Sequence, residues 1–136
     1  MAFDLQERDR EGILVFDVAG RLIVGLNAGA LRERITQAVA AGKQNIVVNL
    51  SGVDYIDSTG LGTLVLCFNL VQKAGGALKL LKLNRRELEL LVLTKLTTVF
   101  DIYNDEQDAL NSFYPDREIK KFDILSFIRQ TQEEGL

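Results

Sequence analysis

The chain has 136 residues, of which 47% are hydrophobic and 26% are charged, and this composition is typical of one folded domain rather than of a disordered chain. A formal net charge of -3 and a pI near 5.0, with Lys and Arg spread along the chain, argue against nucleic acid as a partner. Because the sequence has no histidine and one cysteine, it cannot form a Ser-His-Asp or Cys-His catalytic site, or a zinc site built from several His and Cys ligands.

The sequence shows no feature of a membrane protein. No apolar run has the roughly 18 residues that a membrane-spanning helix needs. Residues 1–12 lack the cationic start and apolar stretch of a signal peptide. We therefore expect a cytoplasmic protein without a membrane partner, in which Cys67 is a buried thiol because it lies in an apolar run.

The first part of the chain predicts two strands, a helix and a third strand. Residues 3–7 and 13–18 have strand composition and are joined by a polar turn that ends at Gly12. Residues 27–42 predict an amphipathic helix with Asn27 as its N-cap and Gly42 just past its end. Residues 46–50 are rich in β-branched side chains without alternation, which indicates a strand covered on both faces.

The following segments alternate between helix and strand. A helix that starts at Ser58 or Thr59 and continues through residues 61–73 is followed by a strand in residues 77–83. Two further helices are predicted by capping boxes, at Asn84 with Glu87 and at Asn104 with Gln107, and the second should end near Phe113, before Pro115. Residues 97–103 have strand composition. The order β-β-α-β-α-β-α-β-α predicts an α/β fold with a mixed, largely parallel sheet and right-handed crossover helices.

The C-terminal segment predicts a helical extension, residues 115–136, after a domain formed by residues 1–114. Its apolar residues recur every three positions, at Ile119, Phe122, Leu125 and Ile128. Such a stripe has to be covered. Packing against the same domain and contact with a partner, including a homodimer through the extension, are both compatible with the sequence.

The motif DYIDSTGLGTLVL, residues 54–66, is the strongest candidate for a functional site. A helix starting at Ser58 or Thr59 directs its free N–H groups and positive dipole end toward the Ser58 side chain, where an anion is well placed. Gly60 and Gly62 reduce helix propensity, which suggests that they preserve access for another molecule. The alternative is that Asp57 or Ser58 serves only as the N-cap. The spacing of the glycines matches neither a dinucleotide fingerprint nor a P-loop.

The helix that follows the motif has two apolar stripes. The first is sufficient for a core face and consists of Leu61, Leu64, Val65, Phe68 and Val71. The second is either buried beneath a neighbouring helix or offered to a partner, and it consists of Thr59, Thr63, Leu66 and Leu70.

The segment NIVVNLSGVDYIDSTGLGTLVLCFNLVQKAGGALKLL, residues 45–81, resembles the signature of the STAS domain as it occurs in bacterial anti-sigma factor antagonists, and the resemblance extends over about residues 3–114. It implies a regulator of transcription in which Ser58 is the phosphoacceptor. The kinase is an anti-sigma factor that the unphosphorylated protein binds, and a phosphatase reverses the modification. ATP and magnesium belong to the kinase, so this chain is expected to hold no cofactor. The residues expected to contact the partner are Asp57, Thr59, Gly60, Leu61, Gly62, Thr63, Leu66 and Leu70.

Two departures from the family pattern bear on this hypothesis. Many such antagonists carry an acidic residue where this chain has Ile23 and Val24, and Thr59 replaces a common second serine and is itself a potential acceptor. Two other hypotheses stay open. The protein could be a non-switching STAS subunit of a larger assembly, with Ser58 as a cap only, or an enzyme that uses a carboxylate pair such as Asp54 and Asp57.

Overall fold

The computed structural model describes residues 2–134, which form a five-stranded sheet with helices on both faces. The strands run in the order β1-β2-β3-β4-β5, with β1 antiparallel to β2 and the other neighbours parallel, so the predicted mixed, largely parallel sheet is confirmed. None of the helices in the described part of the chain is long and apolar enough to cross a membrane. The elements are β1 (Asp4–Arg10), β2 (Ile13–Leu22), α1 (Leu26–Ala40), β3 (Asn45–Ile56), α2 (Ser58–Lys73), β4 (Ala77–Leu81), α3 (Arg85–Leu93), a 3-10 turn (Leu96–Thr98), β5 (Asp101–Tyr103), α4 (Glu106–Asn111) and α5 (Ile124–Glu134).

The N-terminal hairpin forms as the sequence predicts. Glu11 and Gly12 connect β1 to β2, and both have positive φ angles, 56° and 83°. Two consecutive residues of this kind form the turn whose twist suits a two-residue hairpin. The hairpin places β1 at one edge of the sheet.

The core has a large and a small part, one on each side of the sheet. Alternating residues of β2 such as Phe16 and Val18 face the larger part, to which α1, α2 and α3 contribute Leu31, Leu64 and Leu88. The smaller part lies beneath α4 and consists of Ile13, Val15, Val47, Leu81, Ala109 and Leu110. Because both faces of the central strands are covered, their sequences are apolar without alternation. Cys67 is buried in the larger part, as predicted, and burial raises the pKa of its thiol to about 11.

Of the N-caps predicted for α1, α3 and α4, only that of α3 agrees with the structure. Asn84 and Glu87 form the expected capping box at α3. Asn27 is not an N-cap, because α1 begins at Leu26 after Gly25, and its side chain donates instead to the backbone oxygen of Arg21. The capping box at Asn104 is also wrong, since the neighbouring Asp105 accepts the N–H of Asp108 and starts α4.

Several element boundaries differ from the prediction. β3 continues to Ile56 because β2 also continues past a bulge and pairs with it, with Arg21 opposite Tyr55 and Leu22 opposite Ile56. The predicted strand over residues 97–103 is reduced to three residues, because residues 96–98 form a 3-10 turn. α4 ends at Asn111 rather than near Phe113.

The C-terminal segment packs against its own domain, but through only two residues of the predicted stripe, Phe122 and Ile128. α5 begins after Asp123, whose side chain accepts the backbone N–H of Ser126. Ile119 and Phe122 therefore precede the helix, and Leu125 is exposed. The residues that pack against the larger core are Phe122, Ile124, Phe127 and Ile128.

Candidate functional site

The start of α2 lies at the sheet edge where the parallel strands end, which is the usual position of binding sites in open α/β sheets. β3 ends at Ile56, and Asp57 is the N-cap of α2. Its Oδ1 accepts the N–H of Gly60 at 2.7 Å, and its Oδ2 accepts the N–H of Val24, in the loop between β2 and α1, at 2.9 Å. The cap is therefore Asp57, and the alternative in which Ser58 serves as the cap is wrong.

The Asp57 carboxylate is a fixed negative charge beside Ser58. Hydrogen bonds from the backbone N–H of Val24 and then of Gly60 hold the pKa of Asp57 below its usual value. The carboxylate therefore stays ionised at neutral pH and interacts favourably with the positive end of the α2 dipole.

The Ser58 side chain is exposed at the first position of α2, and Thr59 beside it is exposed as well. Within residues 2–134, the Ser58 hydroxyl takes part in none of the side-chain hydrogen bonds, because Asp57 provides the cap. This hydroxyl is available to an approaching molecule.

The two glycines of the motif have different environments. Gly60 is buried, and a Cβ there would collide with the backbone oxygen of Leu22 and lie 3.2 Å from Cγ2 of Ile56. Gly60 thus permits α2 to approach β2 closely, which corrects the expectation that it preserves access for another molecule. A Cβ at Gly62 would have no other atom within 4 Å, so Gly62 lies at an open surface.

The side chains of α2 divide differently from the two predicted stripes. Of the second stripe, Leu66 is 52% exposed, Thr63 is only 6% exposed, and Leu70 is half-buried against the core. The expectation that Thr63 lies on an exposed stripe is therefore wrong. Leu61, also expected at the partner surface, is half-buried against the core. Of the predicted core face, Leu64 and Val71 are fully buried, and Leu61, Val65 and Phe68 are half-buried.

Sequence reasoning missed two exposed apolar side chains beside the motif. Val24, whose N–H binds Asp57, is 65% exposed, and Leu26, at the start of α1, is 91% exposed. In the sequence, Ile23 and Val24 continue an apolar strand, and only the intervening Gly25 marks the turn. We define the Ser58 surface as the exposed residues around this helix start: Val24, Leu26, Ser58, Thr59, Gly62 and Leu66.

Asp54 and Asp57 have separate surroundings. Asp57 binds the backbone of Val24 and Gly60, whereas Asp54 lines a cavity with Arg86 and Glu87 of α3. This arrangement does not favour the hypothesis of a catalytic carboxylate pair.

Comparisons with known proteins agree with this fold. The family model described as "STAS domain" matches residues 4–109. The anti-sigma-B factor antagonist of Bacillus subtilis (strain 168) is 34% identical over 102 residues, which cover 75% of this chain and 92% of that protein. The structure of an anti-sigma factor antagonist from Thermotoga maritima superposes with a TM-score of 0.75 at 23% identity, covering 79% of this chain and 92% of that one. The Bacillus cell fate determinant SpoIIAA, solved in a phosphorylated form, superposes with a TM-score of 0.65 at 19% identity. The match covers 82% of this chain and 99% of that one. At these identities the two structures show the fold alone. The chain belongs to the STAS domain family, and its homologues are named anti-sigma factor antagonists.

Proposed function

We propose that this protein is an anti-sigma factor antagonist that binds a serine-kinase anti-sigma factor through the Ser58 surface and is released when that kinase phosphorylates Ser58. The role is supported by the homologues, which carry the name anti-sigma factor antagonist. The solved SpoIIAA, a fold neighbour, is itself described in a phosphorylated form.

The observation that carries the proposal is that Asp57, and not Ser58, forms the N-cap of α2. Asp57 caps α2 and holds the loop at Val24, so the Ser58 hydroxyl makes no hydrogen bond to the described part of the chain that modification would remove. A phosphate on the exposed Ser58 can therefore form without loss of the cap.

A phosphate at Ser58 would change docking more than folding. It adds about -1.5 to -2 charges at the positive end of α2, where the helix dipole tolerates them. It also lies next to the ionised Asp57 and among the exposed side chains of Val24 and Leu66. A partner that covers this surface would have to desolvate the phosphate. Reversal of a bound population from about 99:1 to 1:99 needs roughly 5.5 kcal/mol, which is within the range of such a penalty.

The residues of the motif have two kinds of role under this proposal. Ser58, Thr59, Gly62 and Leu66 contact the partner directly, together with Val24 and Leu26. Asp57, Gly60, Leu61, Thr63 and Leu70 support that surface from below or beside it. ATP and magnesium belong to the kinase, a phosphatase removes the phosphate, and the cycle operates in the cytoplasm, where transcription is regulated.

A second function, as a non-switching subunit of an assembly, has one observation in its favour. Ile119 and Leu125 remain exposed after the extension has packed against the domain formed by residues 1–114. Contact between two copies through these side chains would form a homodimer. Light scattering on the full chain and on the variants Leu125→Ser and Ile119→Ser distinguishes the two functions, because a scaffold loses its assembly in the variants.

The experiment that tests the proposed function is phosphorylation by the anti-sigma factor kinase from the same cell, with ATP and magnesium. Mass spectrometry should locate one phosphate on Ser58. Ser58→Ala should abolish the modification and Thr59→Ala should leave it in place. Phosphate on Thr59 alone, or on neither residue, would overturn the assignment.

A further inference from the structure

The loop between β2 and α1 presents two aliphatic side chains to solvent. Leu26 is 91% exposed, more than any other large apolar side chain in residues 2–134, and Val24 is 65% exposed. Single exposed leucines are ordinary on protein surfaces, so exposure alone does not mark a docking site. The conformation of the loop and the charges around it add the evidence.

Hydrogen bonds hold the loop in one conformation. The N–H of Val24 donates to Oδ2 of Asp57 at 2.9 Å, and the N–H of Ala28 donates to the backbone oxygen of Ile23 at 3.1 Å. The exposed side chains are therefore carried by a backbone that is already ordered. A partner that binds them has less conformational freedom to remove than it would on a flexible loop.

Gly25 lies between the two side chains in a backbone conformation that only glycine adopts readily. Its φ is 101° and its ψ is -141°, a combination that is essentially closed to residues with a Cβ. A Cβ added there would meet no other atom within 4 Å, so the surroundings have room for a side chain. The need for glycine is therefore in the backbone, and that backbone sets the directions in which Val24 and Leu26 leave the loop.

The chain around these side chains carries almost no charge. Residues 22–30 and 58–72, which supply every member of the Ser58 surface, contain no Asp, Glu, Lys or Arg. The motif aspartate, Asp57, is already bound to the N–H groups of Val24 and Gly60. A charged group of a partner would lose its hydration here without gaining a counter-charge, whereas an apolar pocket would gain from covering the aliphatic side chains.

We propose that Leu26, with Val24 beside it, inserts into an uncharged, apolar pocket of the anti-sigma factor, and that Gly25 is a positioning residue that directs both side chains into that pocket. This inference rests on the proposed function and adds to it the chemistry of the partner. The loop supplies affinity, and the modification of Ser58 controls whether that affinity can be used.

The test is calorimetric titration of the full chain with the anti-sigma factor kinase from the same cell. Leu26→Ser should weaken binding at least tenfold, and Leu26→Met, which keeps an apolar side chain, should stay within about threefold of the wild type. The matched control is Leu93→Ser, because Leu93 is 81% exposed at the end of α3 and lies outside the Ser58 surface. It should bind within about twofold of the wild type. Equal affinities of Leu26→Ser and Leu93→Ser would overturn the proposal.

A double-mutant cycle tests the role of Gly25. Gly25→Ala should weaken binding severalfold, and its amide chemical shifts in two-dimensional NMR should change mainly in residues 22–29 and at Asp57. If Gly25 acts by directing Leu26, the double variant Gly25→Ala/Leu26→Ser should bind about as weakly as Leu26→Ser. Fully additive losses would show that Gly25 does not act through this side chain.

Two further measurements separate this inference from the proposed function. Raising the NaCl concentration from about 0.1 M to about 0.5 M should change the affinity of the unmodified protein less than threefold, and a steep loss would contradict an uncharged pocket. Ser58→Asp should weaken binding in the same titration. If it does and Leu26→Ser does not, the pocket is wrong and the proposed function stands. If the wild type does not bind the kinase, the proposed function and this inference are both wrong.

Discussion

The Asp57 carboxylate joins two segments that are distant in sequence, because its Oδ2 accepts the backbone N–H of Val24 at 2.9 Å while its Oδ1 caps α2 at Gly60. The position of the loop after β2 is thus coupled to the start of α2. Val24 and Ser58 lie on either side of this connection, and both belong to the Ser58 surface.

Replacement of Asp57 should therefore affect stability and docking together. We expect Asp57→Ala to lower the melting temperature by several degrees, because it removes the cap and the contact with Val24. Asp57→Asn keeps an oxygen acceptor for one of the two N–H groups and should lose less. Thermal unfolding followed by circular dichroism measures both variants, and equal melting temperatures for them would show that the cap hydrogen bonds contribute little.

The two glycines of the motif should respond oppositely to alanine. Gly60→Ala should destabilise the fold by roughly 1–3 kcal/mol, because the added Cβ collides with the rigid backbone of Leu22. Gly62→Ala should stabilise it by up to about 1 kcal/mol, since the site is open and alanine has the higher helix propensity. Urea denaturation of the two variants gives both values. A Gly60→Ala variant as stable as the wild type would disprove the close approach of α2 to β2.

Alanine substitutions at Leu66 and Leu64 should have different effects: the first should weaken docking and the second should destabilise the fold. Leu66→Ala should change the free energy of unfolding by less than about 0.5 kcal/mol, because the side chain is half exposed, and should weaken binding to the anti-sigma factor roughly fivefold or more. Leu64→Ala, at a fully buried position, should cost about 2–5 kcal/mol of stability. Denaturation curves and calorimetric titration with the partner measure the two effects. If Leu66→Ala bound the partner normally, Leu66 would have to be removed from the Ser58 surface.

Glu87 should make stability fall as pH rises. Its pKa is raised from 4.5 to about 7 in the folded protein, mainly by burial, so the folded state binds the proton more tightly than the unfolded chain. The contribution is fully present below about pH 4.5 and is lost as pH rises through 7, with a total on the order of 3 kcal/mol. Glu87→Gln has no such group, so its free energy of unfolding should exceed that of the wild type by more at pH 8 than at pH 5. Parallel pH profiles of the two proteins would mean that Glu87 titrates normally.

The features that the sequence predicted correctly depend on local spacing. The capping box of Asn84 and Glu87 and the Glu11-Gly12 turn are each set by residues within a few positions of one another. The exposed position of Ser58 follows from the strand and helix that flank the motif.

The features that the sequence did not predict depend on contacts between distant segments or on competing local signals. The burial of Gly60 results from the close approach of α2 to the end of β2, which no spacing within the motif reveals, and the burial of Thr63 is not marked by the motif either. At α4 and α5 a signal was present but overlooked, since Asp105 with Asp108, and Asp123 with Ser126, mark the helix starts that the structure has.

The most direct test of the account is the affinity of the anti-sigma factor for four forms of this protein: unmodified, phosphorylated at Ser58, Ser58→Ala and Ser58→Asp. Calorimetric titration should give similar dissociation constants for the unmodified protein and Ser58→Ala. The phosphorylated form should bind at least 100-fold more weakly, with Ser58→Asp in between. Equal binding by the unmodified and phosphorylated forms, with both folded by circular dichroism, would contradict the claim that a charge at Ser58 controls docking.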